Sequence, residues 1–257
     1  MDLKDGIVII TGGAGLLGQQ YCKAIEEING VPVCLDIKKP EKGIWCECDI
    51  TEEDQIIEAL EELKQVWKHP VVGLINNAAI DPKFEKDSQN SPKSRLECYS
   101  RVDWDKEIAV GLTGAFLCTK IFGAEMAKEG KGSIINISSV LGLVAPNQAL
   151  YRDESKLEEM QNVKPVTYSV IKHGIIGLTR YTSTYWAKNN VRCNAIAPGG
   201  VYNNHSDEFV SKLSKYIPLG RMADKNEYNE AIKFLISDAS SFMTGSVLTI
   251  DGGQSTW

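Results

Sequence analysis

The sequence predicts an α/β fold in which helices cover both faces of a doubly wound parallel sheet of about seven strands. Short apolar runs alternate with helix-length segments along the whole chain, which is typical of strand–helix–strand units. The runs are continuously apolar, as expected of parallel strands that are buried on both faces. A glycine-rich turn follows the first run and opens the first helix.

The apolar runs and helical segments occur in a regular order. We expect strands at 7–10, 33–35, 44–48, 71–75, 133–137, 191–197 and 246–250, and helices near 15–28, 51–67, 103–128, 166–188 and 226–237. Thr51 is expected to cap the second helix. Two polar insertions, 81–101 and 147–165, follow strand ends, where such folds carry their sites. We therefore expect one domain that covers residues 1–257.

Composition and charge limit the classes of function. The chain has 257 residues, 43% of them hydrophobic, and a formal net charge of -6, which does not favour a nucleic-acid partner. No apolar run has the length of a bilayer span and the N-terminus lacks a signal-peptide pattern, so we expect no membrane partner and a cytoplasmic location. Seven scattered Cys and three His do not have metal-ligand spacing, so reduced thiols and no metal site are expected.

The glycine-rich turn contains Gly12, Gly15 and Gly18, with Leu16 and Leu17 at the start of the helix. Glycines let a backbone turn tightly and approach a pyrophosphate, which the N–H groups and dipole of a helix N-terminus attract. A tight turn without a ligand is the alternative. The strand–turn–helix setting favours dinucleotide binding, and with it a Rossmann-type sheet.

Acidic residues end the next two strands. Asp36 lies 18 positions after Gly18, where a carboxylate accepts hydrogen bonds from the adenosine ribose and repels a 2′-phosphate. The sequence therefore predicts NAD as cofactor, with NADP less favoured. Asp49 and Ile50 end the third strand, where a contact with adenine and a capping role for the carboxylate are both open.

Three side chains suit acid–base and hydride-transfer chemistry. Tyr168 and Lys172 are spaced i, i+4, so one helix face presents both. Carbonyl reduction needs an acid and alcohol oxidation needs a base, and a nearby ammonium favours the phenolate of a tyrosine. Ser139, at the end of the fifth strand, is placed to polarise a substrate carbonyl. Tyr-x-x-x-Lys alone is common on ordinary helices, so the prediction depends on its combination with Ser139.

Further motifs end other strands: Asn76-Asn77-Ala78-Ala79, Pro198-Gly199-Gly200-Val201 and Asp251-Gly252-Gly253. The whole set, in this order, resembles the compact, single-domain short-chain dehydrogenases/reductases over nearly the entire chain. The resemblance implies a phosphate turn at Gly12, Gly15 and Gly18, and ribose binding by Asp36. It implies that Asn76 and Ala78 support the strand ends beside the cofactor, and that Pro198 and Gly199 lead to the backbone of Val201, which meets the nicotinamide carboxamide.

The resemblance also implies roles and an assembly. Ser139 would orient the substrate, Tyr168 would be the acid/base, and Lys172 would assist Tyr168 and bind the cofactor with it. Family members form homodimers or homotetramers through their two long helices, here near 103–128 and 166–188. The implied activity is oxidation of CH–OH groups, or the reverse, with NAD or NADP.

Three departures from the family pattern keep alternatives open. Leu16 stands where compact members have Gly, and Gly15 resembles the branch that contains NAD-retaining sugar-nucleotide epimerases and dehydratases. Gly111 stands where the family has an Asn of the proton relay, which leaves open a relay rebuilt from another group or water and a non-catalytic nucleotide-binding or sensing protein. The insertions are rich in polar and aromatic residues, which favours a small polar, even anionic, substrate such as a sugar derivative. In this they are similar to members linked to bacterial surface-sugar and flagellin-glycan pathways, and hence to carbohydrate metabolism.

Overall fold

The computed structural model describes residues 2–80 and 93–257, so the first part of the predicted insertion at 81–101 lies outside the described residues. Seven strands form at the apolar runs: β1 Ile7–Thr11, β2 Val31–Asp36, β3 Ile44–Glu47, β4 Val71–Asn76, β5 Gly132–Ile137, β6 Val191–Pro198 and β7 Val247–Ile250. All pair in parallel in the order β3-β2-β1-β4-β5-β6-β7, which confirms the predicted fold class. The order reverses between β1 and β4, and this reversal opens a crevice at the carboxyl ends of the strands.

Helices cover both faces of the sheet. They are α1 Leu16–Glu26, α2 Glu53–Val66, α3 Arg101–Ile108, α4 Gly114–Glu129, α5 Val166–Tyr185, α6 Asp207–Ser214 and α7 Asn229–Ile236. One core cluster joins the sheet to α2 and α4 through buried residues such as Ile56, Leu60 and Phe122. The other joins it to α1 and α7 through Tyr21 and Ile232. Burial of apolar side chains on two faces fixes the sheet as the middle layer.

The helix predicted near 103–128 is continuous but not uniform. Between α3 and α4, residues Ala109–Thr113 form a wider π-helical turn, in which the N–H of Gly114 donates to the carbonyl of Ala109. The stretch Arg101–Glu129 is long and apolar enough, by length and composition, to cross a membrane. Half of its most apolar window is buried inside the protein, where α4 packs on β4 and β5, as in the core helix of a globular fold.

The predicted N-cap of the second helix is wrong. α2 begins at Glu53, and its cap residue Glu52 makes no side-chain capping bond. Thr51 instead donates from both its N–H and its hydroxyl to Oδ1 of Asp49, at 3.0 and 2.7 Å. The Asp49 carboxylate offers Thr51 a local partner, so the hydroxyl is engaged before the helix starts.

The insertion at 147–165 has a fixed structure around one buried amide. The side chain of Gln161 donates to the carbonyls of Asp153 and Lys156, and accepts the N–H of Asp153, each at 2.8 Å. Two short 3₁₀ turns, Gln148–Tyr151 and Glu158–Met160, precede Gln161 in the chain. The insertion therefore presents its side chains from a defined backbone.

The start of α5 is held by a buried polar cluster. The hydroxyl of Thr167, which is fully buried, donates to the carboxylate of Glu107 on α3 and contacts the hydroxyl of Tyr99 at 2.8 Å. Burial raises the pKa of Tyr99 to about 12, so this phenol stays protonated at neutral pH. The cluster joins the end of the first insertion, α3 and α5 immediately beside Tyr168.

The glycine turn after β1 is a tight backbone contact. Gly12 has φ +64°, and a Cβ there would lie 2.8 Å from Cα of Ala78. A Cβ at Gly18 would collide with the carbonyl oxygen of Gly12 and lie 2.7 Å from Cα of Gly13, whereas one at Gly15 would meet only the Gly12 oxygen, at 3.1 Å. Gly18 is therefore required by packing, and Gly15 only weakly.

We predict that Gly18→Ala lowers the free energy of unfolding by about 1–3 kcal/mol, because a methyl group must displace backbone atoms. Gly15→Ala is the matched control in the same turn and should cost less than about 1 kcal/mol. Urea unfolding followed by circular dichroism measures both variants. Equal losses for the two would contradict the steric reading of Gly18.

Candidate active site

A large cavity lies at the carboxyl edge of the sheet. Its volume is about 1170 Å³, above the usual range for a drug-sized ligand, so it has room for a dinucleotide and a small second molecule. Every predicted site residue lines it except Gly18 and Asn76: Ser139, Tyr168, Lys172, Gly12, Gly15, Leu16, Leu17, Asp36, Asp49, Ile50, Ala78, Pro198, Gly199 and Val201. The fold thus brings together residues that are far apart in the sequence.

The cavity floor below the predicted phosphate site is a close junction of β1 and β4. The Thr11 hydroxyl accepts the N–H groups of Asn77 and Ala78, at 3.0 and 3.1 Å. The Asn77 amide donates to the carbonyls of Thr11 and Gly12, both at 3.1 Å. α1 begins at Leu16 and directs its N-terminal N–H groups toward this junction. A group larger than hydrogen at Gly12 would fill the turn, so the cradle fits a pyrophosphate.

Asn76 lies inside the sheet, and its neighbour Asn77 lines the cavity. Asn76 is 4% exposed, and its amide donates to Thr119 and Asn136 at 3.0 and 2.8 Å, inside the sheet. Asn77 lines the cavity and was missed by the sequence reasoning. Asn76 ends β4 and Asn77 follows it, so a one-residue difference in the strand end decides which amide turns outward.

The carboxylate of Asp36 accepts two backbone N–H groups and also lies on the cavity wall. Its Oδ2 accepts the N–H of Ala14 at 3.0 Å and its Oδ1 accepts the N–H of Lys38 at 2.9 Å. The carboxylate therefore ties the glycine turn to the end of β2. Each carboxylate oxygen has a second lone pair, so Asp36 can still accept bonds from ribose hydroxyls.

Asp49 makes local bonds in the turn before α2 and does not cap that helix, whose cap residue is Glu52. Besides the two bonds from Thr51, its own N–H donates to the side chain of Gln55 at 2.8 Å. Asp49 and the mostly buried Ile50 also line the cavity. These turn bonds fix the shape of this wall, and an adenine contact is compatible with them.

Two hydrogen bonds join the end of β5 to α5. Nζ of Lys172 donates to the carbonyl of Ile137 at 2.9 Å, and Oγ of Ser138 donates to the carbonyl of Lys172 at 2.7 Å. Lys172 is 7% exposed, so these bonds replace much of its hydration. They set the depth of α5 against the sheet and hence the position of Tyr168, one helical turn earlier.

Two ammonium groups lie near the ring of Tyr168. Nζ of Lys172 is 5.7 Å from the ring centroid, and Nζ of Lys164 is 4.0 Å from it. Positive charge at these distances stabilises a phenolate relative to a phenol. Ser139 lies on the same cavity wall, where its Oγ accepts the N–H of Leu141 at 3.2 Å and keeps its own proton for donation. The set can polarise a carbonyl and exchange a proton with it.

Gly111 is accounted for by packing. It is buried in the π-helical turn, and a Cβ there would lie 2.9 Å from Cγ2 of Ile171, the residue before Lys172. The side chain of Ile171 thus occupies the room that an Asn at position 111 would need. The glycine that motivated a non-catalytic alternative has a steric reason.

The carboxyl end of β6 completes the cavity. A Cβ at Gly199 would lie 2.8 Å from Cα of Asp251, so these two segments touch. Val201 bridges to Ala223 through the carbonyl of Gly200 and the N–H of Tyr202, at 2.9 Å each, and its own N–H is directed away from Ala223. Asp251 accepts the N–H groups of Gly253 and Ser255, which explains the Asp-Gly-Gly motif.

Several cavity-lining residues were not predicted as site residues. They come from α3, the π-helical turn, the insertion at 147–165, the segment after β6 and the C-terminus: Lys106, Val110, Asn147, Leu150, Tyr151, Lys164, Asn203, His205, Phe209, Tyr216, Gln254 and Trp257. The sequence placed some of them on polar insertions near the substrate but could not say which side chains turn inward.

Comparison with known proteins finds reductases and dehydrogenases that are similar to this chain over most of its length. The family model described as enoyl-(acyl carrier protein) reductase matches residues 34–255. A 3-oxoacyl-[acyl-carrier-protein] reductase of Thermotoga maritima is 31% identical over 98% of this chain and 99% of its own. An NAD-dependent glycerol dehydrogenase of Listeria innocua is 28% identical over 98% of this chain and 94% of its own.

A solved structure agrees in fold and sequence. The short chain dehydrogenase of Leptospira borgpetersenii with bound NAD⁺ has a TM-score of 0.85 and 30% identity, covering 98% of this chain and 94% of that one. The flagellin likeness has weaker support, since a post-translational flagellin modification protein A of Campylobacter coli is 27% identical over 98% of each chain. From the family match, the sheet order and the cavity that unites the Gly turn with Ser139, Tyr168 and Lys172, the chain belongs to the short-chain dehydrogenase/reductase family and is an oxidoreductase that uses a nicotinamide cofactor.

Proposed function

We propose that this protein is an NAD(H)-dependent oxidoreductase that moves a hydride between nicotinamide and a carbonyl or alcohol of a small polar substrate. Sugar derivatives are the first candidates for that substrate. The proposed enzyme is cytoplasmic, and residues 1–257 form one domain. The observation that carries the proposal is the convergence of the Gly12–Gly18 turn, Asp36, Ser139, Tyr168 and Lys172 on one cavity. Polar and aromatic lining residues beyond Tyr168 suit a small hydroxylated molecule better than a long acyl chain.

The cofactor would lie along the carboxyl edge of the sheet. The Gly12–Gly18 turn and the start of α1 would hold its pyrophosphate, Asp36 its adenosine ribose, and the backbone of Val201 its carboxamide. When bound, this group accepts or donates the hydride. The chain's residues would do the remaining work.

Tyr168 would exchange the proton. An ordinary tyrosine phenol has a pKa of about 10, so it stays protonated at neutral pH and is a poor base. The ammonium groups of Lys164 and Lys172 favour the phenolate form of Tyr168. Ser139 would donate to the substrate oxygen and hold it near Tyr168. In alcohol oxidation Tyr168 takes the hydroxyl proton, and in reduction it returns the proton to the developing alkoxide.

We also propose a homodimer or homotetramer that uses α4 and α5. Both helices expose apolar side chains, among them Phe116, Val170, Tyr181 and Tyr185, which are 40–66% exposed. Such a patch on two neighbouring helices is typical of a subunit interface.

Asp36→Asn should reduce the preference for NADH over NADPH. The wild type should bind NADH more tightly by about tenfold or more, because the carboxylate makes charge-assisted bonds to ribose and repels the 2′-phosphate. Energy transfer from tryptophan to the reduced nicotinamide measures both affinities. Glu47→Gln is the matched control, because Glu47 pairs with Asp36 across β2 and β3 but does not line the cavity. A wild type that prefers NADPH would refute the role given to Asp36.

Tyr168→Phe should abolish most turnover while NADH binding persists. We expect a loss of about 10²- to 10⁴-fold in the rate of NADH formation from NAD and an alcohol found by screening sugars and polyols. Tyr181→Phe removes the same hydroxyl group from the same helix outside the cavity and keeps the aromatic ring for the proposed interface, so it should keep full activity. Undiminished turnover in Tyr168→Phe would remove Tyr168 from the mechanism, and turnover in the wild type would exclude a purely nucleotide-sensing protein.

Val170→Lys should shift the assembly toward monomer, because it places a charge in the proposed apolar interface. Sedimentation velocity measures the change. Val66→Lys, at an equally apolar exposed site at the end of α2, should leave the assembly intact. A wild type that sediments as a monomer would contradict the proposed interface.

A further inference from the structure

A half-buried histidine lines the cavity from the segment between β6 and α6. His205 lies in the short stretch that joins the end of β6 to the start of α6. The chain has three histidines, and the other two, His69 and His173, do not line the cavity. The proton exchange proposed for Tyr168 does not use the imidazole of His205, so this ring is available for another task.

One ring nitrogen of His205 is held by the backbone of its own loop. Nδ1 accepts the N–H of Asn203 at 3.2 Å. Asn204, between them, has φ +53°, a left-handed conformation that asparagine adopts more readily than most residues, and this turn brings the ring to the Asn203 N–H. A nitrogen that accepts a hydrogen bond carries a lone pair, so the neutral imidazole has its proton on Nε2. The loop thus selects the tautomer in which Nε2 is the donor.

The plane of the imidazole is set by a row of aromatic rings. The His205 ring stacks on Phe209 of α6, with centroids 5.3 Å apart and planes 25° apart. The ring of Phe209 lies 5.9 Å from that of Tyr151 in the insertion at 147–165, and all three residues line the cavity. Nζ of Lys212 donates to the carbonyl of Arg152 at 2.9 Å, which ties α6 to the same insertion. Because the ring is already ordered, little entropy is left to lose when its donor binds a ligand.

The Nε2–H group of His205 lacks a protein acceptor. Among residues 2–80 and 93–257, no side chain or carbonyl accepts a hydrogen bond from this nitrogen, whereas Nδ1 has its bond from Asn203. The residue is half-buried at the cavity wall, so the donor is partly removed from bulk water. A polar group in such a position is stabilised by an acceptor oxygen of a bound molecule, and a few oriented polar groups of this kind give a ligand site its specificity.

We propose that His205 is a substrate-binding residue that donates its Nε2–H to an oxygen of the substrate away from the reacting carbon. This inference rests on the proposed function and narrows the substrate class of the same site. The oxygen at the reacting carbon has two lone pairs as a carbonyl, and the proposed bonds from Ser139 and Tyr168 use both of them. The oxygen that His205 binds is therefore a further one. The substrate class is a polyol or a hydroxy ketone rather than a monohydric alcohol or its ketone.

Polyols and matched monohydric alcohols test this requirement. Glycerol, xylitol and sorbitol are paired with 2-propanol, 2-pentanol and 2-hexanol, which have the same carbon chains and a single hydroxyl group each. Every compound is titrated by calorimetry into the NADH-loaded protein, which cannot oxidise an alcohol. We expect at least one polyol to bind about tenfold more tightly than its monohydric partner, because it offers His205 an acceptor oxygen.

Two variants separate donation to the substrate from a structural role in the loop. His205→Asn puts an amide oxygen near the place of Nδ1, so it keeps an acceptor for Asn203 and loses the distal donor, and polyol affinity should fall about tenfold. His205→Gln puts an amide N–H near the place of Nε2 and loses the loop bond, and it should keep most of the polyol affinity. A purely structural role predicts the reverse order. His69→Asn, at an exposed site outside the cavity, is the matched control and should bind every probe like the wild type.

Other results overturn the proposal. Polyol affinity that is equal in the wild type and His205→Asn, or lower in His205→Gln than in His205→Asn, removes His205 from substrate binding. The same conclusion follows if no polyol binds more tightly than its monohydric partner or if no probe binds the NADH-loaded protein. These outcomes leave the proposed hydride transfer intact. Failure of the folded protein to bind NADH refutes the proposed function itself.

Discussion

The contact between the segments that leave β1 and β4 is the constraint on which the site depends. Thr11 bonds to the backbone of Asn77 and Ala78, and Gly12 leaves no space for a side chain against Ala78. Because the strand order reverses here, these two segments diverge above their junction and open the cavity. The junction fixes both the glycine turn and the floor against which a dinucleotide would lie.

Buried hydrogen bonds carry this geometry to the reacting groups. The end of β5 holds α5 through Ser138 and Lys172, and α3 holds the start of α5 through Glu107 and Thr167. Leaving any of these buried polar groups without its partner would cost free energy, so the helix has one well-defined position. Tyr168 is thereby placed by two independent anchors, one on each side of it.

The sequence was sufficient for the fold because continuous apolar runs and the Gly turn specify local structure directly. It also predicted most of the cavity wall, since the carboxyl ends of all strands in a parallel sheet lie at the same edge. It missed Asn77, because one residue decides which of two adjacent amides turns into the cavity, and it failed where a side chain has competing partners, as with Thr51. Lys164 was visible only as part of a polar insertion, because its position over Tyr168 depends on the folded insertion, in which its N–H donates to the side chain of Gln148.

The π-helical turn at Ala109–Thr113 has a consequence for how the sequence can diverge. The side chain of Ile171 fills the space beside Gly111 that a side chain at position 111 would need. An asparagine at position 111 would fit only after position 171 had become smaller. The two positions are therefore coupled: a larger residue at position 111 requires a smaller one at position 171, so the change at 171 has to come first or at the same time.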